Sequence, residues 1–193
     1  MKSICVFSGS SPGSRPEYAE AAAKLGKELV RRGLRLVYGG ADVGLMSTIA
    51  NTVLSEGGEV TGVIPKSLVE MEVAHNGLTD LQVVGSMHER KALMADLSDG
   101  FIAMPGGMGT LEEVCEILTW GQLGLHAKPC GLLDICDYYG DLRRFFLHMV
   151  EERFLKQEYE EFVLAADDPV ELLDMFEQYK AITVPKWLDR DET

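Results

Sequence analysis

The sequence predicts an α/β fold in which one parallel, doubly wound sheet carries helices on both faces. Short β-branched runs alternate with longer stretches of helical periodicity. Glycine-rich turns follow three of these runs, and no repeat or linker interrupts the 193 residues. At about 100–200 residues per domain, this length fits one domain. We assign residues 1–180 to that domain and residues 181–193 to a C-terminal tail.

The elements follow in order from periodicity and from turn residues. Apolar, mostly β-branched runs bounded by turns predict strands at 3–8, 34–38, 60–65, 81–84, 101–104 and 130–133, the last being the final core strand. Apolar residues three to four positions apart predict helices at 16–32, 45–54, 87–97, 111–123, 139–153 and 169–179. Residues 67–78 read as a loop with a short helical turn. Because strands and helices alternate, the strands should be parallel, with right-handed crossovers.

The charge balance excludes several kinds of partner. The net charge is 18 − 31 = −13 at pH 7, which opposes binding to nucleic-acid polymers and to anionic lipid. No apolar run approaches the ~20 residues of a membrane span, and the first residues do not resemble a secretory signal. We therefore expect a cytoplasmic protein with neither nucleic acid nor membrane as partner.

Cysteine and histidine spacing gives no sign of a metal site. The four cysteines form no C-x-x-C pair, and the four histidines show no H-E-x-x-H pattern. We expect no metal, and we expect reduced thiols in or near the core at Cys5, Cys115, Cys130 and Cys136.

Three glycine-rich turns predict a phosphate-bearing ligand. Residues 9–14, 39–44 and 105–110 each lie between a predicted strand and a predicted helix, where free backbone N–H groups can bind an anion. Parallel sheets bind ligands beyond the carboxyl ends of their strands. None of the turns contains G-K-[ST] or G-x-G-x-x-G, which counts against a P-loop nucleotidase and an ordinary dinucleotide oxidoreductase.

The third turn and one cationic pair supply the candidate site residues. Thr110 stands at the predicted N-cap, where it either closes a capping box with Glu113 or binds a phosphate oxygen. Arg90 and Lys91 are the only adjacent cations between residues 36 and 127. They are either an exposed pair or the counter-charge of an anionic ligand, and the planar fork of arginine favours the second.

Five motifs together resemble the Lonely Guy family, the cytokinin riboside 5′-monophosphate phosphoribohydrolases, many of them labelled possible lysine decarboxylases. The resemblance runs from about residue 3 to residue 139. The motifs are Gly39-Gly40-x-x-x-Gly44-Leu45-Met46, Met87-His88-x-Arg90-Lys91, Pro105-Gly106-Gly107-Met108-Gly109-Thr110-Leu111-Glu112-Glu113, Thr119-Trp120-x-Gln122-Leu123-Gly124 and Lys128-Pro129.

The resemblance implies a Rossmann-like fold, a homodimer and an enzyme without a cofactor. Its reaction would be hydrolysis of the N-glycosidic bond of N6-substituted AMP, and of AMP, to free base and ribose 5-phosphate. The resemblance assigns the catalytic pair to Arg90 and Glu113. On physical grounds we expect the charge of Arg90 to lower the pKa of the Glu113 carboxyl and so hold it ionised. We also expect the turn and helix start at Gly107, Gly109 and Thr110 to bind the phosphate. The resemblance further implies a set of substrate contacts. These would fall on Glu72, Arg90, Lys91, Gly107, Met108, Gly109, Thr110, Leu111, Glu112, Glu113 and Thr119.

Two alternatives belong to other functional classes. A non-catalytic nucleotide or pterin carrier would share the third turn but lack the full Arg-Lys and Thr-x-x-Glu set, both of which are present here. A lysine decarboxylase would need a Schiff-base lysine for pyridoxal phosphate. Lys66 and Lys91 are the only candidates in the central region, and neither lies in a motif that suggests this role.

Overall fold

A computed structural model describes residues 1–71, 74–159 and 162–181. The strands are β1 (Ser3–Phe7), β2 (Arg35–Tyr38), β3 (Val60–Pro65), β4 (Asp80–Val84), β5 (Phe101–Ala103), β6 (Cys130–Leu133) and β7 (Val163–Ala166). The helices are α1 (Pro16–Arg31), α2 (Gly44–Ser55), α3 (Lys66–Val69), α4 (Met87–Asp96), α5 (Met108–Gln122), α6 (Gly140–Glu151) and α7 (Pro169–Gln178). Within the predicted tail, residues 182–193 lie outside the described part.

The seven strands of the described residues form one parallel sheet, which confirms the predicted fold class. Their order is β4-β3-β2-β1-β5-β6-β7, and every neighbouring pair is parallel. The chain winds outward from β1 to β4 and then returns to the other side of β1 with β5. Strand order therefore reverses between β1 and β5, which is where ligands bind in open parallel sheets.

Helices cover both faces of the sheet, as predicted. On one face, α1, α2 and α7 bury Leu25, Ile49 and Leu172 in a shared core. On the other face, α4 and α5 contribute Met94 and Ile117 to a second core. The strands are thus buried from both sides, which explains why most of them are continuous apolar runs rather than alternating ones.

Two predictions about the secondary structure are wrong, one about the last strand and one about the start of a helix. The strand at 130–133 is not the last, because β7 pairs with it in parallel at the sheet edge. The four residues of β7 are mostly half-buried and give a weak strand pattern. Helix α5 begins at Met108 instead of residue 111, with Gly107 as its N-cap. Glycine is well tolerated at that position, although it resembles a loop in the sequence.

The four cysteines are unpaired thiols, but only two of them lie in the core. Cys5 and Cys130 are buried, whereas Cys115 and Cys136 are exposed, which corrects the expectation that all four lie in or near the core. Among the described residues, no group of His, Cys, Asp and Glu side chains has an arrangement suited to a metal ion. In the same part of the chain, no helix has the length and apolar character needed to cross a membrane.

Candidate active site

A cavity opens at the carboxyl edge of the sheet, where the strand order reverses. One wall comes from the segment after β1, through Ser8 and Ser10. The opposite wall is the start of α5, from Gly107 to Thr110. Arg90, Glu112, Glu113, Met46 and Met87 complete the lining. The topology thus brings together two of the three segments in which the sequence predicts glycine turns, together with the predicted catalytic pair.

Arg90 and Glu113 form a buried ion pair inside this cavity. Arg90 lies on α4 and Glu113 on α5, and Nη1 of Arg90 lies 2.6 Å from Oε1 of Glu113. Nε of Arg90 also donates to the carbonyl oxygen of Val63 at 3.1 Å. Each residue is 8% exposed. The pair predicted from the motifs is therefore in direct contact and largely shielded from water.

Burial controls the ionisation of Glu113. Desolvation raises the pKa of the Glu113 carboxyl above its usual value, although the charge and the hydrogen bond of Arg90 oppose this rise. The expectation that Arg90 keeps this pKa low is therefore corrected. Arg90 acts in the predicted direction, but the cost of burying the carboxylate outweighs it. A carboxyl with a raised pKa in a cavity is well suited to general acid–base chemistry.

The N-terminus of α5 offers backbone donors to the cavity. No side chain caps this helix, and the first intrahelical bond runs from the N–H of Leu111 to the carbonyl of Gly107 at 3.0 Å. The N–H groups of Met108, Gly109 and Thr110 therefore have no partner inside the helix, as in any first helical turn. Together with the positive end of the helix dipole, they form a site suited to a phosphate group.

Thr110 is not the N-cap, so the predicted capping box with Glu113 is wrong. Thr110 is the third residue of α5, and its side chain is buried at 5% exposure. A Cβ atom added to Gly106 would lie 2.1 Å from Oγ1 of Thr110. Only glycine at 106 leaves room for this hydroxyl, while Glu113 turns towards Arg90 instead of the helix start.

The other predicted contact residues are placed differently. Lys91 is not among the residues that line the cavity. Its Nζ lies 2.5 Å from Oε1 of Glu112 and 3.0 Å from Oε2 of Glu116. Leu111 packs into the core beneath α5. Thr119 donates to the carbonyl of Cys115 at 2.7 Å and lines a separate groove. Glu72 lies outside the described residues.

The second glycine turn is not an open anion site, contrary to the prediction. The N–H of Leu45, near the start of α2, donates to the carbonyl of Gly9 at 3.1 Å. A Cβ atom on Gly44 would lie 2.4 Å from the carbonyl carbon of Ser10. The first turn therefore covers the start of α2, and the glycines allow the two backbones to approach each other.

Sequence reasoning did not single out the cavity residues Ser8 and Ser10, nor two residues that support the loop. Ser8 and Ser10 follow β1 at the edge of the sheet, so their position was available from the strand pattern. Met46 and Met87, which also line the cavity, stand in the motifs that carry the family resemblance, although no substrate contact was assigned to them. Behind the loop, the hydroxyl of Tyr138 donates to the carbonyl of Gly106, and that of Tyr139 donates to Met104.

Comparisons with known proteins show the family of this chain. A family model described as "Possible lysine decarboxylase" matches residues 46–176. The chain belongs to this family. The Lonely Guy resemblance is also confirmed, because a cytokinin riboside 5′-monophosphate phosphoribohydrolase of Rhodococcoides fascians is 54% identical over 155 residues, 80% of this chain and 78% of that protein.

Plant members of the Lonely Guy family are similar over more of the chain. A probable cytokinin riboside 5′-monophosphate phosphoribohydrolase of Oryza sativa subsp. japonica is 49% identical over 176 residues, covering 91% of this chain and 79% of its own length. A cytokinin riboside 5′-monophosphate phosphoribohydrolase of Arabidopsis thaliana is 46% identical over 180 residues, covering 93% of this chain and 83% of its own length.

Solved structures with low sequence identity share the fold. The molybdenum cofactor binding protein from Rippkaea orientalis superposes with a TM-score of 0.70 at 23% identity, covering 92% of this chain and 97% of that one. The molybdenum cofactor carrier protein from Chlamydomonas reinhardtii superposes with a TM-score of 0.69 at 22% identity, covering 92% of this chain and 96% of that one. At this level of identity, the likeness concerns the fold alone.

Proposed function

We propose that this chain is an N-glycosidase that hydrolyses nucleoside 5′-monophosphates of the adenosine type to free base and ribose 5-phosphate. Its substrates would be N6-substituted AMP and AMP itself. The observation that carries the proposal is the buried Arg90–Glu113 pair beside the uncapped start of α5. Relatives at 46–54% identity that are named as phosphoribohydrolases support the same reaction.

The phosphate would position the sugar for the reaction. The free N–H groups of Gly107, Met108, Gly109 and Thr110 bind the 5′-phosphate without a basic surface, which agrees with a chain of net charge −13. Binding energy from this non-reacting group then holds C1′ of the ribose close to the catalytic pair. An unphosphorylated nucleoside lacks this anchor.

Glu113 would act on the water and on the ribose. Water adds to C1′ as the bond to the base nitrogen breaks, and the base leaves with the bonding electron pair and takes up a proton. The ionised Glu113 carboxylate accepts a proton from the attacking water and stabilises the positive charge that develops on the ribose. Arg90 holds that carboxylate in place through the 2.6 Å contact.

Steady-state kinetics with three substrates test the proposal. We expect hydrolysis of AMP and of isopentenyladenosine monophosphate, with a large loss of kcat/KM for the unphosphorylated isopentenyladenosine. Absence of free base with every nucleotide would overturn the proposal, and tight binding without turnover would favour the carrier alternative.

The alternative function, a lysine decarboxylase, does not fit the residues that line the cavity. Among the residues that the structure describes, none that lines the cavity is a lysine. Lys91 is held by the carboxylates of Glu112 and Glu116, and Lys66 is an exposed side chain 3.9 Å from Glu70. Neither amine is placed to bind an aldehyde cofactor inside the site, so no step of the proposed reaction uses pyridoxal phosphate.

We further propose a homodimer that forms through α6 and α5. Of the twelve residues of α6, only Gly140 is buried, while Phe145 and Leu147 are 53% and 41% exposed. An apolar groove lies between these helices and includes Phe146 and Thr119. Contiguous exposed apolar surface of this kind is typical of an interface. Light scattering should give twice the chain mass of 21.3 kDa, and a monomer would contradict this proposal.

We propose a cytoplasmic location for the enzyme. All four cysteines are unpaired, and Cys115 and Cys136 are exposed to solvent. Exposed free thiols suit a reducing compartment, because in an oxidising one they would form disulfides. Cell fractionation tests this, and recovery of the protein outside the cytoplasm would contradict it.

A further inference from the structure

Arg90 occupies space that a side chain at position 39 would fill. Gly39 directly follows β2 at the carboxyl edge of the sheet. A Cβ atom added there would lie 2.2 Å from Nη2 of Arg90, 3.4 Å from its Cζ and 3.3 Å from Sδ of Met46. Non-bonded heavy atoms are most stable about 3.5–4.0 Å apart. The guanidinium and a side chain at 39 therefore cannot both occupy these positions.

The guanidinium of Arg90 is also held on its other sides. Its Nε donates to Val63 at 3.1 Å, and its Nη1 donates to Glu113 at 2.6 Å. The group is planar and rigid, so a displacement of Nη2 also moves the two donating nitrogens. Any side chain at 39 would consequently disturb the contact with Glu113.

Backbone conformation does not explain the glycine at this position. Gly40 and Gly44 have φ of 75° and 55°, where a side chain would be strained. Gly39 is not among the described residues with positive φ. The requirement at position 39 is therefore for space next to Arg90.

We propose that Gly39 is a positioning residue for the hydrolysis: by lacking a side chain, it lets the Arg90 guanidinium lie against the end of β2 and reach Glu113. This inference rests on the proposed function. It gives the second glycine turn a part in catalysis without contact to the ligand.

Kinetics of Gly39→Ala test the inference, with Gly131→Ala as the matched control. Gly131 also lacks a positive φ, and a Cβ atom there would lie 2.8 Å from side-chain atoms of Leu172 and Phe176, in the core beneath α7. With isopentenyladenosine monophosphate, Gly39→Ala should lose about 10²-fold in kcat, the scale expected for a catalytic group misplaced by about 1 Å. Gly131→Ala should lower Tm but keep the wild-type kcat.

The pH profile separates positioning from a loss of stability. Arg90 acts to lower the pKa of Glu113, so its displacement should move the acid limb of kcat to higher pH in Gly39→Ala. A purely structural defect would leave the limb where it is in the wild type. Gly39→Ala with wild-type kcat and an unchanged acid limb would overturn the inference.

Thermal unfolding provides a second test if Gly39→Ala folds poorly. Lysine has no Nη2, so Gly39→Ala should lower Tm by less in an Arg90→Lys background than in the wild type. Equal losses of Tm in both backgrounds would overturn the inference. A wild-type protein that releases no base from any nucleotide would instead overturn the proposed function, so the two failures are distinguishable.

Discussion

Two opposing influences act on the pKa of the Glu113 carboxyl: the positive charge of Arg90 and burial. The Glu113 carboxylate touches the Arg90 guanidinium at 2.6 Å, yet the residue is 8% exposed and its pKa is raised. The motif predicted the residue and its partner. It could not predict the balance between charge and burial, because burial depends on how closely α4 and α5 pack. Residue identity was thus available from the sequence, and its ionisation was not.

The pH dependence of kcat should report this raised pKa. Because the carboxylate is the reactive form, kcat should fall as the pH drops through the pKa of Glu113, with an acid limb above the ~4.3 of an ordinary glutamate. The Glu112 charge contributes to the rise, so Glu112→Gln should move the limb to lower pH. An acid limb of kcat at or below the pKa of an ordinary glutamate would contradict this prediction.

The start of α5 is where an element of secondary structure creates the binding site. The predicted start at residue 111 was three residues late, because Gly107 and Gly109 have poor helix propensity and read as a loop. Packing overrides that propensity. Gly106 leaves space for Thr110, and the hydroxyls of Tyr138 and Tyr139 bind carbonyls of the loop before the helix. The two tyrosine bonds join residues 32 and 35 positions apart, beyond the reach of local pattern.

Loss of the Tyr139 hydroxyl should destabilise this element. In Tyr139→Phe the carbonyl of Met104 loses the donor at 2.6 Å, and an unpaired buried acceptor costs about 1–3 kcal/mol. Tyr38→Phe is the control, since the buried Tyr38 hydroxyl has no hydrogen-bond partner among the described residues. Denaturant unfolding should show a lower free energy for Tyr139→Phe alone. Equal values for the two variants would contradict the role of the Tyr139 bond.

At the scale of the whole molecule, the order of elements was predictable and the edge of the sheet was not. Alternation of strands and helices predicted a parallel sheet, and the three turns predicted a ligand at its carboxyl edge. Strand β7, which the sequence did not predict, lies at the edge of the sheet. It pairs on one side only and is partly exposed, and both features weaken its sequence pattern. The strand is held by parallel pairing with β6 and by packing against α7, which in turn contacts α1.

An ion-pair network joins α1 to α7 across the sequence. Arg32, at the end of α1, donates to Glu28 at 2.6 Å, to Asp174 at 2.6 Å and to Glu177 at 2.9 Å. Arg31 binds the same Glu28 carboxylate. Hydrogen bonds from Arg31, with those from Arg32, lower the pKa of Glu28 to about 2.

Acid should remove the contribution of Glu28 to stability. A carboxyl whose pKa is lower in the folded state stabilises fully above its unfolded pKa of ~4.3, and that contribution is lost as the pH falls towards about 2. The difference in free energy of unfolding between wild type and Glu28→Gln should therefore be largest near neutral pH and shrink through this interval. A difference that stays constant with pH would contradict the ion pairing.

Release of free base from isopentenyladenosine monophosphate by Glu113→Gln tests the central claim most directly. Glu116→Gln is the matched control, since Glu116 lies on the same helix and pairs with Lys91 outside the cavity. The account predicts that Glu113→Gln remains folded and loses at least about 10²-fold in kcat, while Glu116→Gln keeps the wild-type rate. Wild-type turnover by Glu113→Gln would contradict the assignment of this carboxylate as the catalytic group.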